Sequence, residues 1–178
     1  MNTSLEIRPA TVRDLPEVLR LNQPMLPHVS SLTPDSLRAL FDEAAWFYVA
    51  VFNNDCAGFL IALRPNATYQ SENYLWFAQR FSNFLYIDRI CVSSTHQRRG
   101  VASRLYADAE KFARECHIPL LTCEVNLELE NLASLAFHDR QGFEEVGTQR
   151  TEAGTKLVSL RLKHLRSSAS NDQNQTRR

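Results

Sequence analysis

The 178-residue chain predicts a single α/β domain. Strand-length apolar runs alternate with helical stretches that carry apolar residues on one side, the pattern of a sheet with helices packed on its faces. One strand–loop–helix–strand unit, residues 84–125, reads as a right-handed crossover between parallel strands. The length matches one domain on the usual scale of about 100–200 residues. A chain of this size buries roughly 70% of its unfolded surface, so its core needs neither disulfide nor metal.

Leu5–Arg8 reads as a first strand. Thr11 opens a helix, with Asp14 at the capping-box position and Leu15, Val18, Leu19 and Asn22 on its inner side, and Pro24 and Pro27 stop it. Thr33–Pro34 is a cap followed by a first-turn proline, and Leu37, Leu40 and Phe41 form the stripe of the helix that follows. Phe47–Phe52 and Ala57–Leu63, joined at Asn53–Asp55, form a hairpin. Residues 65–83 are a long insert with room for a short helix over 71–81, the kind of segment that serves as a functional loop or lid. Phe84–Val92 is a strand, Ser93–Arg99 a polar loop, and Gly100–Cys116 a helix with Val101, Leu105, Ala109, Phe112 and Ala113 facing inward. Pro119–Val125 is a strand, and Asn131–Gln141 a helix ended by a left-handed cap at Gly142. Phe143–Gly147 and Lys156–Leu162 are the last strands. The domain is expected to span 1–165, with 166–178 a polar, disordered tail.

Composition narrows the function. Lys+Arg and Asp+Glu both number 20, so there is no basic excess to favour nucleic acid or a membrane surface. Cys56, Cys91, Cys116 and Cys123 show no CxxC or zinc spacing, so no metal is expected and the cysteines read as small core residues. The N-terminus lacks the basic start and apolar run of a signal peptide, and no stretch approaches the roughly 18 apolar residues of a membrane span. A reducing cytoplasmic setting is expected.

The most informative stretch is Ile87–Tyr106. A buried strand runs into Gln97-Arg98-Arg99-Gly100-Val101-Ala102, and a helix follows at once. Free backbone N–H groups at the helix N-terminus, the helix dipole and two arginines suit a pyrophosphate, and Gly100 lets the backbone approach it without a Cβ. The loop is neither a Walker A motif nor a Rossmann fingerprint. On its own it also fits an ordinary polar turn with solvated arginines.

Gln97-Arg98-Arg99-Gly100-Val101-Ala102 resembles the Q/R-x-x-G-x-G/A signature of the GNAT N-acetyltransferases. Asn131, Ala133-Ser134 and Phe137-His138-Asp139-Arg140-Gln141-Gly142-Phe143 resemble the family's downstream N-x-x-A…Y-x-x-x-G-F segment. The resemblance implies a mixed, mostly antiparallel sheet whose two central parallel strands, 84–92 and 119–125, splay apart between flanking helices. It implies acetyl-CoA as co-substrate, with its pantetheine arm along Ile90-Cys91-Val92, its pyrophosphate on Gln97, Arg98, Arg99, Gly100, Val101 and Ala102, and further contacts from Asn131, Ser134 and Phe137. It implies acetyl transfer by direct attack of an amine in a ternary complex.

Such a transfer needs a base for the amine, a donor for the oxyanion and a proton for the thiolate. Glu124, in Cys123-Glu124-Val125-Asn126, resembles the Glu-Val of the family's ribosomal-protein acetyltransferases, where that Glu is the base; a strand-end glutamate paired with an arginine is the plain alternative. Asp88 is the second candidate base, or else a partner of Arg89 or Arg64. A backbone N–H near Val92 suits the oxyanion. His138 stands where the family commonly has a proton-donating Tyr, and an imidazole can donate or accept near neutral pH.

Tyr69, Tyr74, Trp76, Phe77, Phe81, Phe84 and Tyr86 read as an aromatic wall over the acceptor or as a lid helix packed on the sheet. Arg64 and Arg80 are placed to meet an acceptor carboxylate. The acceptor is expected to be a small-molecule amine, with a protein N-terminus or lysine as the alternative. A non-catalytic acyl-CoA sensor and a nucleotide-binding protein stay open, and a homodimer is compatible with the family.

Overall fold

The structure, a computed structural model, describes residues 5–128 and 131–165. The expected tail, 166–178, lies outside the described residues, as do residues 1–4. Seven strands form one sheet: β1 Glu6–Pro9, β2 Trp46–Phe52, β3 Asp55–Leu63, β4 Leu85–Val92, β5 Leu120–Asn126, β6 Glu144–Thr151 and β7 Lys156–His164. The order is β1-β2-β3-β4-β5-β7-β6, and every pairing is antiparallel except β4 with β5. The central parallel pair and the crossover through 101–115 are those the sequence predicts.

Among the described residues five α-helices cover the sheet: α1 Leu15–Asn22, α2 Pro34–Glu43, α3 Glu72–Ala78, α4 Val101–Glu115 and α5 Leu132–Arg140. The predicted first helix begins as a 3-10 turn over Val12–Asp14, where Asp14 Oδ2 accepts from Thr11 N–H at 2.7 Å. Thr33 Oγ1 caps α2 by accepting from Ser36 N–H at 3.1 Å. Asn53 and Asn54, with φ of 50° and 69°, make the tight β2–β3 turn, a left-handed pair that Asn tolerates.

Two apolar cores lie on opposite faces of the sheet. Val18, Leu21, Leu37 and Leu40 from α1 and α2, with Tyr74 and Phe77 from α3, pack on one face against Phe59, Ile61, Phe84 and Tyr86. Val101, Leu105, Tyr106, Ala109 and Ala113 of α4 cover the other, over Ala57, Leu60, Ala62, Leu85 and Leu121. Phe112, expected inward, is only partly buried, whereas Tyr106 and Glu110 are buried. Gly58 sets how close α4 sits: a Cβ there would stand 2.7 Å from the Cys91 carbonyl oxygen and 3.3 Å from Val101 Cγ1. Of the cysteines, Cys91 and Cys123 are buried, Cys56 is partly buried and Cys116 is exposed, so the core reading does not extend to Cys116.

Candidate active site

The site lies where the sheet opens. β4 and β5 are in register only at Leu85↔Leu121 and Tyr86↔Thr122. β4 continues along β3 as far as Val92, and β5 along β7 as far as Asn126. Their facing edges therefore diverge from Ile87 onward. A cavity of about 490 Å³ occupies this opening, lined by Ile87, Asp88, Arg89 and Ile90 of β4, by Cys123, Glu124, Val125 and Asn126 of β5, and by Tyr106, Asn131, Ser134 and His138. Ser30 between α1 and α2, Tyr69, Glu72 and Asn73 of the insert, and Glu152 and Lys156 at the β6–β7 turn also line it.

Two carboxylates reach this cavity in different electrostatic settings. Glu124 Oε2 accepts from the Tyr86 hydroxyl at 2.7 Å. Burial pushes the Glu124 carboxyl up to about 7; the Tyr86 hydrogen bond opposes that rise and the negative charge of Asp88 adds to it. Asp88 Oδ1 accepts from the Tyr69 hydroxyl at 2.5 Å, and Oδ2 pairs with Arg89 Nε at 2.6 Å. Both side chains of that pair are 3% exposed. Arg89 Nη1 also donates to Asn22 Oδ1 at 2.9 Å and to the Ser30 carbonyl at 3.0 Å, which ties α1 to β4. Asp88 is thus held by a cation and a phenol, while the side chains that bond Glu124, Tyr86 and Asn73, are neutral and burial outweighs them, which leaves its carboxyl near neutrality.

His138 is 4% exposed and bonded at both ring nitrogens. Nδ1 lies 2.8 Å from the Ser134 carbonyl, which can only accept, so Nδ1 carries the proton. Nε2, 2.8 Å from the Tyr106 hydroxyl, therefore accepts from it. Burial lowers the imidazole pKa and keeps the ring neutral. His138 and Tyr106 thus reach the cavity as a hydrogen-bonded pair.

The phosphate-loop residues stand apart from the cavity, at the far end of β4. Gly100 precedes α4 with φ +78°, and a Cβ built there meets nothing within 4 Å. Among the described residues no side chain caps α4, which leaves its first N–H groups without a side-chain acceptor there. Gln97, Arg98 and Arg99 are exposed, and neither arginine makes an ion pair among the described residues. Uncapped donors, two uncommitted guanidinium groups and open space fit a pyrophosphate, and the unpaired edge of β4 fits an extended amide-bearing arm. Along that edge Ile90 and Val92 are half-buried and Cys91 is buried; Val101 is buried and Ala102 half-buried at the start of α4. Asn131 is the N-cap residue of α5, and the Phe137 ring lies 5.5 Å from that of Tyr106.

Several expected contacts fall elsewhere. Arg64 donates to Asn83 Oδ1 at 3.1 Å, and Arg80 lies 4.0 Å over the Trp76 ring, so neither lines the cavity. Tyr74, Phe77, Phe84 and Tyr86 pack in the core, so that the aromatic run is chiefly the packing of α3 on the sheet; Tyr69 is its member that reaches the cavity. Sequence reasoning missed Tyr106 and Asn126. Tyr106 lies three residues before the inward Ala109, a helical-face signal, and Asn126 shares a strand face with Glu124. Among the described residues no three His, Cys, Asp or Glu are grouped as metal ligands, and no helix is long and apolar enough to cross a membrane.

A central parallel pair that parts over a cavity, with an uncapped helix start at the far end of β4, is an arrangement suited to an extended, phosphate-bearing ligand. The family model for the acetyltransferase (GNAT) family matches residues 15–143, and the chain belongs to that family, whose co-substrate is an acyl-CoA. No curated protein matches the chain. Among solved structures, the ribosomal-protein-S18-alanine N-acetyltransferase of Escherichia coli is 18% identical with TM-score 0.71, covering 96% of this chain and 99% of that one. NAA60 of Arabidopsis thaliana, in complex with a bisubstrate analogue, is 16% identical with TM-score 0.74, covering 93% and 100%. The NatC complex bound to Gag peptide and CoA is 18% identical with TM-score 0.71, covering 92% and 99%. At these identities the likeness is one of fold.

Proposed function

We propose that this protein transfers an acetyl group from acetyl-CoA to the amine of a small molecule, with Glu124 as the base. The observation that carries the reading is the Glu124 carboxyl, raised to about 7 at the mouth of the parted strands. A base whose pKa lies near the working pH combines a populated carboxylate with a useful affinity for the proton. Acetyl-CoA supplies an acyl carbon activated as a thioester and a thiolate leaving group. Backbone N–H groups at the start of α4, with Arg98 and Arg99, hold its pyrophosphate; the edge of Ile90–Val92 holds its arm, and a main-chain N–H near Val92 meets the acyl oxygen. Asn131, Ser134 and Phe137 flank the same path from α5. Glu124 accepts the amine's proton, and the Tyr106–His138 pair faces the departing sulfur. Asp88 pairs with Arg89 and accepts from Tyr69, and Arg89 carries the connection to α1.

A closed acceptor side supports a small amine. Glu152 N–H donates to Glu72 Oε2 at 3.1 Å, and Gln149 Nε2 donates to Asn73 Oδ1 at 3.3 Å. A Cβ built on Gly147 would lie 3.3 Å from the Trp76 ring, so α3 packs tightly on the β6–β7 hairpin and narrows this side of the cavity. The alternative, a protein N-terminus or lysine as acceptor, draws on the fold likeness to the S18-alanine acetyltransferase.

The test is calorimetric titration of acetyl-CoA into the protein and into Gly100→Asp. The substitution puts a carboxylate where the pyrophosphate is placed, at a φ that Asp tolerates better than most residues. Binding by the wild type and none by the folded variant supports the CoA site, and a screen of amines against peptides then separates the two acceptor classes. Absence of binding by both sinks the assignment of acetyl-CoA.

A further inference from the structure

Four buried side-chain atoms lack a hydrogen-bond partner among the described residues: Arg64 Nε, Thr122 Oγ1, Asn126 Nδ2 and Arg161 Nε. Buried polar groups are rarely left unmatched, so each such atom calls for an explanation. Of these four residues only Asn126 lines the cavity. It is 2% exposed and is the last residue of β5, opposite Val158 of β7. Its Oδ1 accepts from Glu128 N–H at 3.3 Å, which fixes the orientation of the amide and leaves the NH₂ as the unmatched end. Strand alternation puts Asn126 on the same face as Glu124, about 7 Å further along the chain.

We infer that Asn126 Nδ2 is a ligand-binding donor, reserved for a carbonyl-type oxygen of a molecule bound in the cavity. An amide NH₂ is donor-only, so its partner must be an acceptor. On β7 the residue opposite Asn126 is Val158, whose side chain offers a polar ligand group no partner. Asn126 is therefore a positioning residue: it holds the oxygen of a ligand whose reacting atoms lie near Glu124. The inference rests on the acetyl-transfer reading. Two ligands carry such an oxygen, the pantetheine amides of CoA and an acceptor with a carbonyl close to its amine.

Asn126→Leu removes the donor and its desolvation cost while keeping similar bulk, and Asn126→Asp keeps the shape and the acceptor for Glu128 N–H but replaces the NH₂ by an oxygen. The two variants and the wild type are titrated with CoA. The CoA-loaded proteins are then titrated with phenylalaninamide and with 2-phenylethylamine, which differ by the carbonyl. The inference expects Asn126→Leu to lose no more stability than the Glu128 N–H bond it gives up, since an unmatched donor goes with it, and both variants to bind the oxygen-bearing ligand about tenfold more weakly, the worth of one hydrogen bond. A loss confined to CoA assigns the pantetheine amide. A loss confined to phenylalaninamide assigns the acceptor. Unchanged CoA affinity in both variants, together with no preference of the wild type for phenylalaninamide, overturns the inference, as does a marked fall in thermal stability of Asn126→Leu with binding intact. Failure of the wild type itself to bind CoA would instead overturn the assignment of acetyl-CoA.

Discussion

Replacing Glu124 by Gln is expected to slow the enzyme and stabilise the fold at once. The carboxyl rises from an ordinary 4.5 to about 7, mainly because burial disfavours its charged form. A raised carboxyl pKa means that the folded state holds the proton more tightly than the unfolded chain does. Stability is then greatest below the unfolded value and is lost as the pH climbs from 4.5 to about 7. At about 1.36 kcal/mol per pH unit, that interval corresponds to a destabilisation of about 3 kcal/mol in the ionised protein. Glutamine keeps an oxygen for the Tyr86 hydroxyl and carries no charge, so Glu124→Gln should recover up to about 3 kcal/mol at alkaline pH and almost nothing in acid. Urea unfolding at both ends of the range measures this. Activity moves the other way: loss of a placed base costs about 10²–10⁴-fold in kcat/KM. The wild-type rate should rise through about pH 7 with an acceptor whose own amine titrates well away from there, and Glu124→Gln should lose that limb. Tyr86→Phe, which removes the bond that favours the carboxylate, should move the limb upward. A wild-type profile that is level across neutrality, or a Glu124→Gln enzyme of undiminished rate, refutes the assignment of the base.

Other outcomes follow from the same geometry. Arg89→Met leaves Asp88 buried without its cation and should cost about 3–5 kcal/mol in urea unfolding, most of it restored by adding Asp88→Asn; a neutral single variant would contradict the pair's structural role. Tyr106→Phe leaves His138 Nε2 without a donor and should cost about 1–3 kcal/mol, while imidazole nitrogen shifts keep reporting the Nδ1–H tautomer set by the Ser134 carbonyl. A switch of tautomer in that variant would show that Tyr106, not Ser134, fixes the ring. Gly58→Ala drives a Cβ to 2.7 Å from the Cys91 carbonyl oxygen, so β4 must yield, at about 1–3 kcal/mol. An unchanged unfolding midpoint would mean that the β3–β4–α4 junction is looser than its distances imply.

The order of elements, the two helix caps, the β2–β3 turn and the parallel crossover were legible in the sequence because each rests on local chemistry. Thr11 with Asp14, Thr33 with Pro34, and Asn53 with Asn54 shape their own neighbourhood whatever packs above them. The loop before α4 was legible for the same reason: a glycine and two arginines at a helix start can be read in one short stretch. Length was read less well. β6 runs to Thr151 rather than Gly147, because its later residues pair with the start of β7, a partner that local sequence does not reveal.

What the sequence by itself determined, then, is the family's frame and the residue types available to it. Which carboxylate is free to titrate was decided by tertiary structure alone. Asp88 and Glu124 both read as strand acids; the fold chooses Arg89 over Arg64 for the first and adds Tyr69, and it sets the neutral Tyr86 and Asn73 side chains against the second. The state of His138 was decided in the same way, by a carbonyl one helical turn back and a phenol 32 residues away. The reason is physical: a side chain's protonation depends on burial and on the few groups within hydrogen-bond reach, and the chain brings those groups together from distant positions.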